Sequence, residues 1–294
     1  LRLIMKQIPE SELIINKDGS LYHINLLPED ISDTIITVGD PDRVAVVSKH
    51  FDKIEIKKAK REFITHTGYF NGQRIAVIST GIGTDNIDIV YNELDALANI
   101  DLKTRYIKEK HTVLNFIRLG TSGALQYDIP IDSFVFSQFG LGLDGLMNFY
   151  KWENTDTEKE IIDSFRLHYP TYGILPQSYL ASCSPILEKK LSEGMFKGIT
   201  ASCSGFYAPQ GRVLRFELAR EDMLEKLNSF RHNDLRITNF EMETGAIYGL
   251  GSVLGHECCS VNAIVANRIR HEYSIKAHET VDKLTQVVLE RLTS

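Results

Sequence analysis

DTIITVG (Asp33–Gly39), running into Asp40-Pro41, is the stretch on which the architecture turns. Its β-branched side chains fit a pleated surface, and the run stops at a glycine. Asp followed by Pro suits a helix cap and a first helical position, and the residues after it are amphipathic to Phe51. The reading is strand, turn, helix, with Asp40 as cap and Pro41 at the first helical position. The same alternation recurs outward from this unit. Glu55–Thr80 carries two strand-like runs, joined at Asn71-Gly72 by a strong hairpin signal. Further strands are expected at Val113–Leu119, Asp132–Phe139, Lys197–Ser202, Leu235–Glu241 and Cys258–Ala266, the last apolar enough to be covered on both faces. Apolar spacing of three and four predicts a helix at Asn86–Asn99, and others at Glu158–Leu167, Pro185–Glu193, Glu217–Phe230, Thr244–Leu254 and Glu279–Leu292. Asp101–His111 and Tyr150–Lys159 are polar and read as surface insertions. Strands alternating with helices throughout imply one α/β domain.

Composition narrows the function classes. The 294 residues carry 33 Lys+Arg against 39 Asp+Glu, a net charge of −6, with 43% hydrophobic and 24% charged residues. That balance builds a full core and excludes a disordered chain. Mild acidity disfavours a non-specific nucleic-acid binder, which needs a basic face. Four cysteines, Cys183, Cys203, Cys258 and Cys259, form neither a disulfide framework nor a CxxC metal pattern. Without a signal-peptide layout or a membrane-length apolar run, the expected location is the cytoplasm.

Several glycine motifs compete for attention. Gly140–Gly145 matches GxGxxG, but no helix start and no acid about 20 residues on accompany it, so a glycine-rich loop after a strand is the better reading. Ser79–Gly83 is glycine-rich without the Lys of a phosphate loop and reads as a tight turn. Gly39–Arg43 places free N–H groups at a helix start beside a guanidinium, which suits an anion. Arg118–Gly123 (RLGTSG) follows an apolar strand and reads as a donor-rich turn able to nest an anion. Arg61 stands in a third short segment. A single arginine is most often a solvated charge, but three beside strand ends suggest a cradle for a tetrahedral oxyanion.

NFEMETG (Asn239–Gly245) ends a strand, and an extended backbone would put Glu241 and Glu243 on one face. Such a pair serves glycoside chemistry or grips vicinal hydroxyls; its bland alternative is an acid at a helix start. Phe206–Arg212 (FYAPQGR) supplies aromatic faces, an amide and a guanidinium, the set that a flat heterocycle with carbonyl and N–H edges requires. His23, in YHINL, reads on its own as a structural or surface histidine.

Taken together, YHINL (22–26), VGDPDRV (38–44), REF (61–63), STGIG (79–83), RLGTSGAL (118–125), TASCSGFYAPQGR (200–212), NFEMETGA (239–246) and ANR (266–268) occur in one order across nearly the whole chain. In these the chain resembles the nucleoside phosphorylase superfamily, and within it the uridine phosphorylase branch. The resemblance implies a single α/β domain built on a mixed, barrel-like β-sheet surrounded by helices, residues 21–294, behind an N-terminal extension of residues 1–20. It implies reversible phosphorolysis of uridine, with deoxyuridine or thymidine as related substrates, to uracil and ribose 1-phosphate.

By the same resemblance Gly39, Arg43, Arg118 and Thr121 bind phosphate, and Arg61 reaches that subsite in a neighbouring subunit. Met242 and Glu243 hold the ribose hydroxyls, with His23 supplied by the neighbour. Phe206, Gln210 and Arg212 receive the base, and Arg268 supports that pocket from behind. Arg118, Glu243 and Arg212 carry the catalytic work, in a homodimer or hexamer that shares its sites between subunits. No cofactor or metal is implied, phosphate being a co-substrate. Glu62 and Ile82 match residues that line a monovalent-cation site in that branch, but Asn86 replaces a Ser there, and cation binding is not asserted.

Three rivals remain. Purine-cleaving relatives carry a Ser-Asp pair where this chain has Asn267-Arg268, and nucleosidases lack the phosphate-binding arginines, all three of which are present. A non-catalytic nucleoside-binding protein on the same fold has no need of the phosphate side.

Overall fold

The computed structural model describes residues 6–170 and 175–294. In chain order the strands are β1 (Thr34–Val38), β2 (Lys53–Lys60), β3 (Phe63–Phe70), β4 (Gln73–Ser79), β5 (Ile100–Asp101), β6 (Tyr106–Ile107) and β7 (Asn115–Ala124). They continue as β8 (Phe134–Gly142), β9 (Tyr179–Ser182), β10 (Phe196–Ser202), β11 (Arg231–His232), β12 (Leu235–Glu241), β13 (Glu257–Asn267) and β14 (Glu272–Tyr273). The helices are α1 (Asp42–Ser48), α2 (Thr84–Asn99), α3 (Asp156–His168), α4 (Pro185–Leu191), α5 (Met223–Ser229), α6 (Thr244–Leu254) and α7 (Ala277–Thr293).

One mixed sheet joins twelve of these strands. Its path β12-β10-β8-β13-β7 returns on itself, because β12 also pairs with β7 through Asn239 opposite Ala124 and Phe240 opposite Gly123. Five strands thus close a barrel, and β7 continues outward into β1-β4-β3-β2. The expected barrel-like mixed sheet is present. Its central strand, β13, runs parallel to β7 and antiparallel to β8. Cys258–Ile264 are buried along it, as its unbroken apolar run requires.

Helices cover the outside. On α2 the residues Ile87, Val90, Tyr91, Leu94 and Leu97 are buried, the three-and-four spacing of a core-facing stripe. α6 packs on β8 unusually closely: a Cβ on Gly140 would come within 2.8 Å of Gly245 Cα, and one on Gly245 within 3.0 Å of Gly142 Cα. This explains the GxGxxG match. The first two glycines lie inside β8, not in a loop after it, and they admit the start of α6. Ahead of β1, Leu21, Ile24 and Leu26 are fully buried in the main core. Residues 1–5 of the expected extension lie outside the described residues, and the peptide of Ile8 donates to Arg105 O at 2.9 Å.

Three of these local readings shift and one hairpin holds. α1 begins at Asp42 with Pro41 at the cap, one residue later than expected, and Asp40 stands ahead of the cap, accepting from Asp42 N at 2.9 Å. The run 53–79 holds three strands, since Arg61 and Glu62 turn the chain between β2 and β3. The hairpin at Asn71-Gly72 is present, both residues with positive φ (48° and 75°), as such a two-residue turn demands. Before α5 the chain is irregular to Asp222, where Arg220 forks onto that carboxylate and onto Pro170 O instead of extending the helix to Glu217. Among the described residues no helix is long and apolar enough to cross a membrane.

Candidate active site

A cavity of about 1020 Å³ opens at the carboxyl ends of β1, β7 and β12. It collects ten of the candidate residues: Gly39, Arg43, Arg118, Thr121, Phe206, Gln210, Arg212, Met242, Glu243 and Arg268. Arg61 and His23 stand outside its lining, both near Tyr22: the Arg61 guanidinium is 5.6 Å from the Tyr22 ring centroid and the His23 ring centroid 4.8 Å from it. The His23 ring is tied to Glu93, with Nδ1 2.5 Å from Oε1, and Glu93 also accepts the peptide N–H groups of His23 and Ile24.

Two guanidiniums, those of Arg43 and Arg118, face the cavity. Arg43 projects from the first turn of α1 and donates to Leu119 O at 3.3 Å; Gly39, beneath it, leaves room for Arg43 Nη2, which a Cβ there would meet at 3.3 Å. Burial and the neighbouring Arg118 lower the Arg43 guanidinium to about 10. Arg118 is buried in the middle of β7. The expected turn at Gly120–Gly123 does not form: β7 runs through to Ala124 because Leu119–Ala124 pair with Val261–Asn267 of β13. The donors offered here are side chains on a strand rather than a peptide nest.

The carboxylates divide the two readings weighed for them. Glu241, the last residue of β12, takes the helix-start task, accepting from Glu243 N and Thr244 N at 3.0 Å and from Ser202 Oγ at 2.6 Å. Glu243 has left the strand and faces the cavity. Its Oε1 accepts from Gly83 N at 2.8 Å, and its Oε2 lies 2.6 Å from Arg118 Nη2. The same Nη2 is 3.0 Å from Glu241 Oε2. Burial alone would lower the Arg118 guanidinium, but the two carboxylates outweigh it and hold it above its ordinary value. Burial raises Glu241, against the pull of Arg118 and with the push of Glu243.

The loop after β10 adds Phe206, Gln210 and Arg212 to the lining. Arg212 stacks on Phe206, its guanidinium carbon 3.8 Å from the ring centroid, and donates to Phe206 O at 2.6 Å and to Gln210 Oε1. Burial and the nearby Arg268 lower Arg212 to about 10. Arg268 donates to Gln210 O at 3.1 Å, which places it behind the amide. Asn267, its neighbour, is buried and fully engaged: Nδ2 donates to Gln126 O and Ile129 O, and Oδ1 accepts from Ile269 N and Arg270 N. It clamps the turn between β13 and β14 and offers no group to a ligand.

Sequence reading passed over several residues in the cavity wall or just behind it. His271, Glu272 and Tyr273 form a rim, carried by a short β13–β14 hairpin that no Asn-Gly pair announces. Asn262 touches Arg118 from β13 at 2.8 Å; its one available signal was a lone amide in an apolar run. Glu62 and Asn86, already named from the sequence beside Ile82, line the wall as well, with Asn86 Nδ2 donating to Glu62 Oε1 at 3.2 Å. Away from the cavity, Asp95, His111 and His256 bring ligand atoms within 4.8 Å of one another. Leu114 N donates to His256 Nδ1, so the ring proton sits on Nε2 and is given to Asp95 Oδ1 at 3.1 Å. His111, at the end of the inserted segment, stacks on His256 with ring centroids 5.5 Å apart and meets Leu254 O at 3.0 Å, which ties that segment down.

Two arginines, a carboxylate bonded to one of them and an amide–guanidinium pair, all facing one cavity, suit a ligand of three parts: oxyanion, polyhydroxylated ring and flat polar heterocycle. Known proteins agree in kind. A nucleoside phosphorylase of Trypanosoma brucei, whose crystal structure is described as showing uridine phosphorylase activity, superposes with a TM-score of 0.88 at 30% identity, over 95% of this chain and 99% of that one. A uridine phosphorylase of Thermococcus kodakarensis is 29% identical over 277 residues, 92% of this chain and 84% of the relative. A DeoD-type purine nucleoside phosphorylase of Streptococcus suis is 25% identical over 268 residues, 90% of this chain and 94% of the relative. The model of the phosphorylase superfamily matches residues 33–294, from the first strand of the sheet to the last helix, and the chain belongs to that family.

Proposed function

We propose that this protein catalyses the reversible phosphorolysis of uridine to uracil and ribose 1-phosphate. The observation that carries the reading is the meeting of three sets of groups on one cavity: Arg43 and Arg118, Glu243 and Met242, and Gln210 and Arg212. Phosphorolysis needs phosphate held against C1′ while the C–N bond breaks through an oxocarbenium-like sugar. Arg43 and Arg118, with Gly39 and Thr121, hold the anion and so convert a bimolecular encounter into an oriented one. The bound anion in turn stabilises the cationic sugar. Glu243, fixed by Gly83 and Arg118, accepts from the ribose hydroxyls beside Met242. Uracil departs with negative charge on its carbonyl oxygens, and Arg212 with Gln210 meets that charge where it develops, Phe206 packing on the ring.

Purine cleavage is the competing substrate class, and DeoD-type enzymes stand among the relatives. Two features favour a pyrimidine. A purine leaves most readily when an acid protonates it, yet the base end offers the guanidiniums of Arg212 and Arg268, and the Asn267 amide is spent on backbone groups. Arg61 and His23, outside this cavity, serve a neighbouring subunit in this reading, which makes the working unit at least a homodimer. Four buried free thiols suit a reducing cytoplasm. The test follows uridine by chromatography in phosphate and in phosphate-free buffer. Uracil and ribose 1-phosphate formed only with phosphate is the expected result. Free ribose without phosphate would make the protein a hydrolase, and inosine consumed in preference to uridine would move it to the purine class.

A further inference from the structure

A chain of buried polar side chains runs once around the barrel. Arg118 Nη1 on β7 donates to Asn262 Oδ1 on β13 at 2.8 Å, and Asn262 Nδ2 donates to Ser137 Oγ on β8 at 3.3 Å. Ser137 Oγ lies 2.6 Å from Thr200 Oγ1 on β10, which donates to Asn239 Oδ1 on β12 at 2.9 Å. Asn239 Nδ2 closes the circuit by donating to Ser122 Oγ, back on β7, at 2.9 Å. All five strands of the ring are visited. A guanidinium has only donors, so the oxygen of Asn262 must face Arg118 and its nitrogen must face the serines. Asn262 Nδ2 also reaches Ser260 Oγ at 3.2 Å, so the amide is held on both sides.

Asn262 is fully buried, and the backbone beneath the contact is shaped for it. A Cβ on Gly120 would fall 1.6 Å from Arg118 Nη1 and 2.5 Å from Asn262 Oδ1, so this guanidinium–amide pair lies directly on a glycine. On its other side Arg118 faces Glu241 and Glu243. With Arg43 the formal charges of these four groups cancel. A third carboxylate in place of the amide would leave the pocket negative where an anion has to enter.

We infer that Asn262 is a positioning residue for Arg118: its carbonyl aims the guanidinium, and its neutrality keeps the anion end open to phosphate. This rests on the phosphorolysis reading and deepens it. Asn262 touches no substrate in this scheme and acts through Arg118.

The test varies phosphate at saturating uridine, and uridine at saturating phosphate, in wild type, Asn262→Asp and Asn262→Leu. Thermal melting checks that each is folded. Asn262→Asp keeps an acceptor for Arg118, and Ser137 and Ser260 can rotate their hydroxyls to donate to the new oxygen. Its KM for phosphate is expected to rise at least about tenfold, with the KM for uridine within about twofold, because a unit charge acts strongly at this range in a buried site. The ratio to wild type, taken at each pH, shrinks as the pH falls and the new carboxyl takes a proton. Asn262→Leu removes the acceptor and is expected to lower kcat about 10- to 100-fold, the scale of a misaligned positioning group.

An unchanged phosphate KM in Asn262→Asp overturns the inference, as does an equal rise in both KM values. Loss of folding in both variants assigns Asn262 to stability alone and also overturns it. Wild-type protein that releases no uracil in a phosphate-dependent way refutes the functional reading itself, an outcome separate from active wild type with indifferent variants.

Discussion

Glu243 Oε2 and Arg118 Nη2 lie 2.6 Å apart inside the cavity, so the group assigned to the sugar is bonded to the group assigned to phosphate. Each holds the other in place, and neither can be removed without exposing its partner to an unpaired, buried charge. The two proposed subsites, separate along the chain, are mechanically one unit.

Arg118→Met is therefore expected to cost both activity and stability. Losing the phosphate-orienting donors should reduce kcat about 10²- to 10³-fold. Leaving Glu241 and Glu243 without their cation should cost about 3–5 kcal/mol of folding free energy. Burial already raises the Glu241 carboxyl, and Arg118 opposes that rise; its removal lifts Glu241 further. A carboxyl raised in the folded state favours folding below its unfolded pKa, and that contribution is lost as pH rises through the folded value. The melting-temperature deficit against wild type should grow from about pH 5 to pH 8. Calorimetry showing a deficit that grows toward acid would contradict this account.

Gly83→Ala tests the other tether of Glu243. Gly83 sits at φ 98°, where an L-residue is strained, and a Cβ there would meet Asp85 Oδ1 at 2.8 Å. The N–H that holds Glu243 Oε1 should swing away, raising the KM for uridine about tenfold for one lost charge-assisted hydrogen bond. Deoxyuridine, which lacks one of the hydroxyls, should lose less. Equal losses for both nucleosides would detach Glu243 from the sugar.

Arg212→Ala addresses the leaving group. The residue is only partly buried and lies in a loop, so melting should move little. The kcat for uridine should fall about 10²-fold, the range found for one donor to a developing oxyanion. Wild-type kinetics in this variant would move the base to another part of the cavity.

Sharing of sites between subunits can be read by complementation. Arg61→Ala and Arg118→Met are each expected to be poorly active alone. When the two are unfolded together and reassembled, half of the dimers are mixed and each mixed dimer has one intact site. Activity should return to about a quarter of wild type for a two-fold assembly. No recovery would confine Arg61 to its own chain.

Much of this site was legible before any fold was known, and the reason is local. Gly39 and Arg43 lie within one strand–helix turn, and Phe206, Gln210 and Arg212 within one short loop, so short-range geometry already brings them together. Asn71-Gly72 announced its hairpin because a two-residue turn needs positive φ at both positions. Where the reading went astray, a distant segment decided. RLGTSG resembles a turn in isolation, yet β13 and β12 pair along it and draw it out straight. The glycines of Gly140–Gly145 look like a loop until α6 is seen lying on them.

By itself the sequence determined the alternation of strands and helices, the double-sided burial of β13 and the chemical inventory of the cavity, since each depends on the spacing of side chains along one segment. Closure of the barrel through β12 and β7, the convergence of Glu241 and Glu243 on Arg118, and the seat of Asn262 were decided only by the tertiary structure. Arg118 and Asn262 are 144 residues apart in sequence. A contact at that separation leaves no periodic trace, because it is created by strand register, and register is set by how all the strands pack together rather than by either residue's neighbours.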